Sequence, residues 1–193
     1  MNQKKDWSEY YDFTRTKPPY SLLIEAIKHV KEKGSALDIG GGALRDTRYL
    51  LDTGFDVTVI DNSPLLNAEA AKLNNSKLHT SIVSFEDFDF SKNKYDLVSA
   101  MFALNFCNPV HFDMVFKKIK DSLKPEGIFC ALLFGNRDEW SGYVDKTYPS
   151  KDKITKLLED FEIISLDEKN PGEKDDSGEL MTSGHVLQFI ARK

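Results

Sequence analysis

Residues Ala36 to Asp46 read Ala-Leu-Asp-Ile-Gly-Gly-Gly-Ala-Leu-Arg-Asp, and a further carboxylate follows at Asp61. An apolar run that meets an acid, then glycines, then a helical pattern predicts a strand feeding a ligand-binding turn. Gly40, Gly41 and Gly42 let the backbone turn tightly and approach a ligand where a Cβ would intrude. Dinucleotides and other adenosine-containing cofactors use such turns. Asp38 discriminates between them. A pyrophosphate needs backbone N–H donors and a positive helix end, so a carboxylate two residues ahead of the first glycine repels it. A cationic ligand is attracted instead, by at most about 4 kcal/mol at contact before desolvation is counted. Asp61 suits either cofactor, because a carboxylate accepts from a ribose diol.

Other residues able to do chemistry are sparse. Cys107 and Cys130 have no metal-like spacing and read as a reduced thiol pair. His29, His79 and His111 fall on predicted helices or strand edges without partners at ligand spacing, so no metal site is expected. His185 starts a predicted strand and reads either as a base or as a structural hydrogen-bonding residue. An aromatic-rich segment, Trp7, Tyr10, Tyr11 and Phe13, precedes Arg15 and Lys17. It reads either as a lid over a ligand or as a hydrophobic docking segment.

The elements that must position these residues follow a regular order. Pro18-Pro19 opens a helix with Leu22, Leu23, Ala26, Ile27 and Val30 on one stripe, stopped by Gly34. Ser35 to Ile39 is a short strand apolar on both faces, as a central parallel strand should be. A helix over Leu44 to Asp52, a strand over Phe55 to Ile60 and a helix from Ser63-Pro64 to about Asn74 come next. Leu78 to Val83 and Tyr95 to Ala100 are further strands. Asn108-Pro109 caps a helix carrying Val115, Phe116, Ile119 and Leu123, and Ile128 to Phe134 is the fifth strand. A helix from Ser150 to about Asp160 leads to strands over Phe161 to Leu166 and His185 to Ala191, which pair as an antiparallel hairpin. The polar loop from Lys169 to Gly178 is expected to be mobile. The expected fold is α/β: a three-layer Rossmann-like sandwich around a seven-stranded, mostly parallel sheet with one antiparallel strand near the C-terminus. Both Asp38 and Asp61 then lie at carboxyl ends of strands, where such sheets bind ligands.

The 193 residues, 40% apolar and 30% charged, suit a single domain over 1–193, with 1–17 as the possible lid. No apolar stretch approaches the roughly 20 residues of a membrane span, and the N-terminus lacks a signal-peptide core, so a cytoplasmic protein is expected. A net charge of −5 argues against a nucleic-acid surface. Lys117, Lys118, Lys120 and Lys124 read either as a solvated helix face or as a binding patch.

Four segments in this order resemble the motifs of class I S-adenosylmethionine-dependent methyltransferases: Leu37-Asp-Ile-Gly-Gly-Gly42, Val57-Thr-Val-Ile-Asp61, Tyr95-Asp-Leu-Val98 and Leu123-Lys-Pro-Glu-Gly127. The likeness runs from about Pro18 to Lys193. More narrowly, Gly42-Ala-Leu-Arg-Asp-Thr47, Phe134-Gly-Asn-Arg-Asp-Glu-Trp140 and His185 to Lys193 are similar to small bacterial methyltransferases of the tellurite-resistance and thiopurine types. The family's third glycine is missing; Leu44 stands there, and Arg45 stands at the dinucleotide equivalent.

The resemblance implies S-adenosylmethionine as cofactor, bound by Asp38, Gly40, Gly41, Gly42, Asp61 and its neighbour Asn62. It puts Ser84 where the family often has an adenine-binding acid, with Phe85 beside it and Glu86 or Asp87 as substitutes. Ala100 and Met101 would pass the methionine portion, and Arg15 or Lys17 would approach its carboxylate. The implied reaction is in-line methyl transfer to a small-molecule acceptor, for which positioning and exclusion of water matter more than covalent chemistry. Thiols and metalloid oxyanions need no general base; hydroxyl acceptors do. Candidate acceptor-pocket residues are Phe102, Phe106, Arg137, Asp138, Trp140 and His185, with no catalytic residue singled out. A non-catalytic cofactor-binding protein and an NAD-dependent oxidoreductase are the alternatives. The acceptor and the oligomeric state are not written in these motifs.

Overall fold

The computed structural model describes residues 7–170 and 184–193. Seven strands form one sheet in the order β3-β2-β1-β4-β5-β7-β6. They are β1 (Ser35–Ile39), β2 (Asp56–Asp61), β3 (Leu78–Ile82), β4 (Tyr95–Met101), β5 (Leu123–Phe134), β6 (Glu162–Lys169) and β7 (Val186–Arg192). The pairs β1–β2, β1–β4, β2–β3 and β4–β5 are parallel, whereas β7 lies antiparallel to both β5 and β6. The switch in strand order falls between β1 and β4, so both strands' carboxyl ends open onto one crevice.

Alternation along the strands assigns each residue to a layer. Leu37 and Ile39 of β1 face the layer of α5 (Phe112–Ser122) and α6 (Lys151–Leu157), packing with Phe116, Ile119, Phe129 and Phe189. Ala36 faces the other layer, with Leu23, Ala26 and Ile27 of α2 (Ser21–Lys28) and Leu50 of α3 (Arg45–Asp52). Asp38 shares the parity of Ala36 and therefore points toward α3. The remaining helices are α1 (Ser8–Thr14) and α4 (Leu65–Leu73).

Element boundaries follow the sequence closely, with differences at ends. Leu123 belongs to β5 rather than to the preceding helix, because it pairs with Tyr95 before a register shift carries the strand past Glu126, whose φ is +67°. The hairpin of β6 and β7 forms, and β6 runs on to Lys169; His185 lies just before β7. Most of the loop expected to be mobile, Lys169 to Gly178, lies outside the described residues. Ser150 caps α6, accepting from Lys153 N–H at 3.1 Å. Three of the clustered lysines lie on α5 and have partners, Lys117 with Asp121, Lys118 with the Glu86 carbonyl and Lys120 with Asp160, whereas Lys124, expected on the same helix, lies in β5 and pairs with Asp96. Among the described residues no helix is long and apolar enough to cross a membrane.

Candidate active site

The turn after β1 is tighter than its sequence requires. Gly40 has φ +71°, and a Cβ there would lie 2.5 Å from Ala103 Cβ; at Gly41 it would lie 2.2 Å from Val59 Cγ2. Only glycine fits either place. Leu44, in the position of the absent third glycine, takes the left-handed conformation anyway, with φ +63° at the N-terminus of α3. Its side chain is fully buried against Val59 and Leu66, and that packing holds the strained backbone in place.

Three carboxylates converge on this turn. Asp61 accepts from Gly42 N–H at 2.9 Å and Ser63 N–H at 2.8 Å, so β2 and the glycine turn are fixed to one another. Asp38 accepts from Thr47 Oγ at 2.5 Å and Ser99 Oγ at 3.0 Å, and is buried. Asp46 accepts from Tyr20 N–H at 3.0 Å. Burial, and then the charge of Asp46, push the Asp38 carboxyl up to about 7 despite its two hydroxyl donors. Burial also raises Asp46 and Asp61. Crowded, desolvated acids of this kind repel phosphate and favour a cation.

A cavity in two lobes opens beside them. The small lobe, about 50 Å³, is lined by Thr14, Asp38, Gly41, Arg45 and Asp46 among others. The large lobe, about 360 Å³, runs from Asp61, Asn62 and Phe85 to Phe102, Phe106, Phe134 and Trp140, under Trp7 and Tyr11. Tyr10, Tyr20, Gly40, Gly42 and Met101 line both lobes, so they form one continuous site. Two of its lining residues carry buried polar atoms without a hydrogen-bond partner among the described residues, Tyr11 Oη and Arg45 Nε, the latter in a 3.8 Å ion pair with Asp46 Oδ1. Such atoms are costly unless something satisfies them. An adenosine-linked amino acid fits this donor set: acids for its cations, spare acceptor capacity on Asp61 for ribose, and Arg45 for a carboxylate.

The structure brings together Asp38, the three glycines, Asp61, Asn62, Phe85 and Met101, with Phe102, Phe106 and Trp140 at the far end. Other expected residues are engaged elsewhere. Ala100 alternates into the α5 layer. Ser84 bonds Asp87 at 2.9 Å within its own turn, and Glu86 accepts from Asn108 N–H at 3.2 Å. Arg15 pairs with Glu69 of α4 at 2.8 Å and with Asp12, away from the cavity lining. Arg137 turns to Glu168 at 3.1 Å and Asn170 at 2.8 Å. His185 is buried; its Nδ1 accepts from Arg137 N–H and its Nε2 lies 2.8 Å from Glu168, so it braces the loop after β5. Asp138 does the same, accepting from Trp140 N–H and His185 N–H. The N-terminal aromatics split: Trp7, Tyr10 and Tyr11 cover the cavity, while Phe13 is exposed.

Arg45, Tyr20, Asp46 and Phe134 are lining residues not expected from the sequence. The Arg45 guanidinium stacks 3.4 Å from the Tyr20 ring centroid. One signal was available: a cation in the first turn of a helix opposes the helix dipole, which asks for another reason for its presence.

The seven-stranded sheet with one reversed strand, the glycine turn after β1 and the acids at the ends of β1 and β2 agree with the resemblance to class I S-adenosylmethionine-dependent methyltransferases. Residues 36–127 match the methyltransferase-domain family. Alpha N-terminal protein methyltransferase 1 of Dictyostelium discoideum is 31% identical over 124 residues, 61% of this chain and 41% of that protein. The chain thus spans about two fifths of the length of that relative. TehB from Haemophilus influenzae superposes with a TM-score of 0.75 at 19% identity, over 97% of this chain and 65% of TehB. The 1,6-didemethyltoxoflavin-N1-methyltransferase of Burkholderia thailandensis, solved with 1,6-didemethyltoxoflavin and S-adenosylhomocysteine, superposes with 0.71 at 20% identity, over 96% of this chain and 81% of its own. At these identities the two structures speak to the fold.

Proposed function

We propose that this protein transfers a methyl group from S-adenosylmethionine to a small molecule held in the aromatic half of the cavity. The observation that carries this reading is the continuity of an acid-lined lobe with an aromatic one across the glycine turn. In this reading Asp61 accepts from the ribose hydroxyls, with Asn62 and Phe85 beside the base. Asp38 and Asp46 face the cationic centres, and Arg45 Nε donates to the amino-acid carboxylate. The cofactor supplies an electrophilic methyl on a sulfonium. The chain supplies orientation and dryness: α1 covers the cavity, Trp7 packs edge-on against Phe106 at 5.4 Å, and Phe102 stacks on Phe134 at 4.6 Å.

The chain works as one domain whose first 17 residues include the cover. Its two free, buried cysteines suit the reducing cytoplasm. Nothing in the acid-lined cavity or the internally paired lysines of α5 supports a nucleic-acid partner. The Dictyostelium relative favours a second reading, in which the acceptor is a peptide α-amine.

Calorimetric titration should show S-adenosylmethionine binding and no NAD binding; NAD binding alone would sink the assignment. Release of S-adenosylhomocysteine should then follow addition of small molecules rather than of short peptides with free N-termini. Peptide-only turnover selects the second reading, and release with neither class selects a non-catalytic binding protein.

A further inference from the structure

Resting on the methyl-transfer reading, we infer that the acceptor is a neutral, planar molecule whose methylated atom carries its own lone pair, a ring nitrogen or a thione sulfur. The acceptor half of the cavity is walled by Phe102, Phe106, Phe134 and Trp140. Phe134 offers its face to Phe102 at 31° and its neighbourhood to the edge of Trp140 at 5.3 Å and 66°. These rings touch one another and form a continuous apolar wall, against which a flat molecule can lie.

The charged side chains nearby are turned elsewhere. The Arg137 guanidinium is held by Glu168 and Asn170. Lys146 lies over the rings of Phe106 and Tyr143, 4.9 Å from each, and does not line the cavity. Asp61 is the charged side chain lining the large lobe among the described residues, and two backbone N–H groups hold it. Among the described residues no cation lines the aromatic half, so an anion entering it would shed its hydration unpaired. Metalloid oxyanions and carboxylates are therefore poor fits.

The same inventory argues against acceptors that must lose a proton. His185, Asp138 and Glu86 are each engaged by backbone or side-chain partners and do not line the cavity. Among the described residues a hydroxyl in the aromatic half would meet no uncommitted base, and an ammonium has no lone pair to offer. A neutral nitrogen or sulfur needs neither. Its lone pair forms the bond to the methyl carbon while the methyl–sulfur bond breaks and leaves its electron pair on sulfur. Positive charge thus passes from sulfur to the acceptor ring. Aromatic faces stabilise a cation at that place, so the chamber assists the transition state as well as binding the ring.

The test compares two probes that differ in one charge, quinoline and quinoline-2-carboxylate. Both are titrated at pH 7.5 into the protein saturated with S-adenosylhomocysteine, followed by tryptophan fluorescence or calorimetry. Quinoline should bind at least tenfold more tightly, and Trp140→Leu should weaken it several-fold while leaving the dissociation constant for S-adenosylhomocysteine unchanged. Equal or reversed preference overturns the inference, and so does no measurable quinoline binding. Failure of S-adenosylhomocysteine itself to bind is a separate result, which removes the methyl-transfer reading beneath it.

Discussion

Asp38 carries an electrostatic load that an ordinary strand-end acid does not. Burial beside Asp46 raises its folded-state proton affinity above that of the unfolded chain. Between about pH 4 and pH 7 the folded protein keeps a proton that the unfolded chain has released, so this group's effect on stability becomes less favourable as pH rises through that window. A bound cation reverses the preference. Titration of S-adenosylmethionine at pH 6.5 in buffers of different ionisation enthalpy should therefore reveal proton release, and affinity should rise toward pH 8. Asp38→Asn should abolish the release; an unchanged proton count would refute the role. Leu44 gives a second prediction. Replacing it with glycine relieves roughly 1–2 kcal/mol of left-handed strain but forfeits a buried leucine worth about 2–5 kcal/mol. Leu44→Gly should lower stability by about 1–3 kcal/mol in denaturant unfolding, and a gain would mean that packing was overrated. Asp38 and Asp61 were legible in the sequence because strand parity and a glycine turn are local patterns. Tyr20 and Arg45 were not, since their stacking depends on the N-terminal ends of α2 and α3 meeting on one face of the sheet. Ser84 and Glu86 do not line the cavity, and their partners within a few ångströms, Asp87 and the Asn108 N–H, are invisible to motif alignment.

At the scale of elements, α1 is a cover held by few attachments. Arg15 grips Glu69 through two bonds of 2.8 and 3.0 Å, and its carbonyl accepts from Arg48. The Arg15 guanidinium holds the Glu69 carboxyl down at about 2, so this attachment is fully present above the usual glutamate range and is lost as pH falls through about 2. Glu69→Gln should speed amide hydrogen exchange in Ser8–Thr14 several-fold while leaving β1 and β4 protected. Equal protection in both proteins would show that the aromatic contacts alone hold the cover. The helices packed on the sheet were readable because their apolar stripes recur at helical spacing. The role of α1 was not, because Trp7 and Tyr10 become intelligible only once Phe106 lies opposite.

For the whole molecule, binding should register as stability. Cofactor at a hundred times its dissociation constant adds about 2.7 kcal/mol, which for a chain of this size raises the melting temperature by about 5–10 °C. S-adenosylmethionine should produce that shift in a thermal melt and NAD should not. The alternation of strands and helices made the layered sheet legible, and the missing helix before the final strand announced its reversal. Its seat between β5 and β6 was a matter of topology that no local pattern carries. That seat sets an order of assembly. As the chain is synthesised, β6 appears before the strand that will join it to the sheet, and β5 waits with its outer edge bare. Residues 186–192 close both gaps at once, pairing with Ile128 to Phe134 on one side and Glu162 to Lys169 on the other. Until they arrive, a nascent chain exposes a long, apolar, hydrogen-bond-ready edge, the form most prone to pairing with a neighbouring molecule.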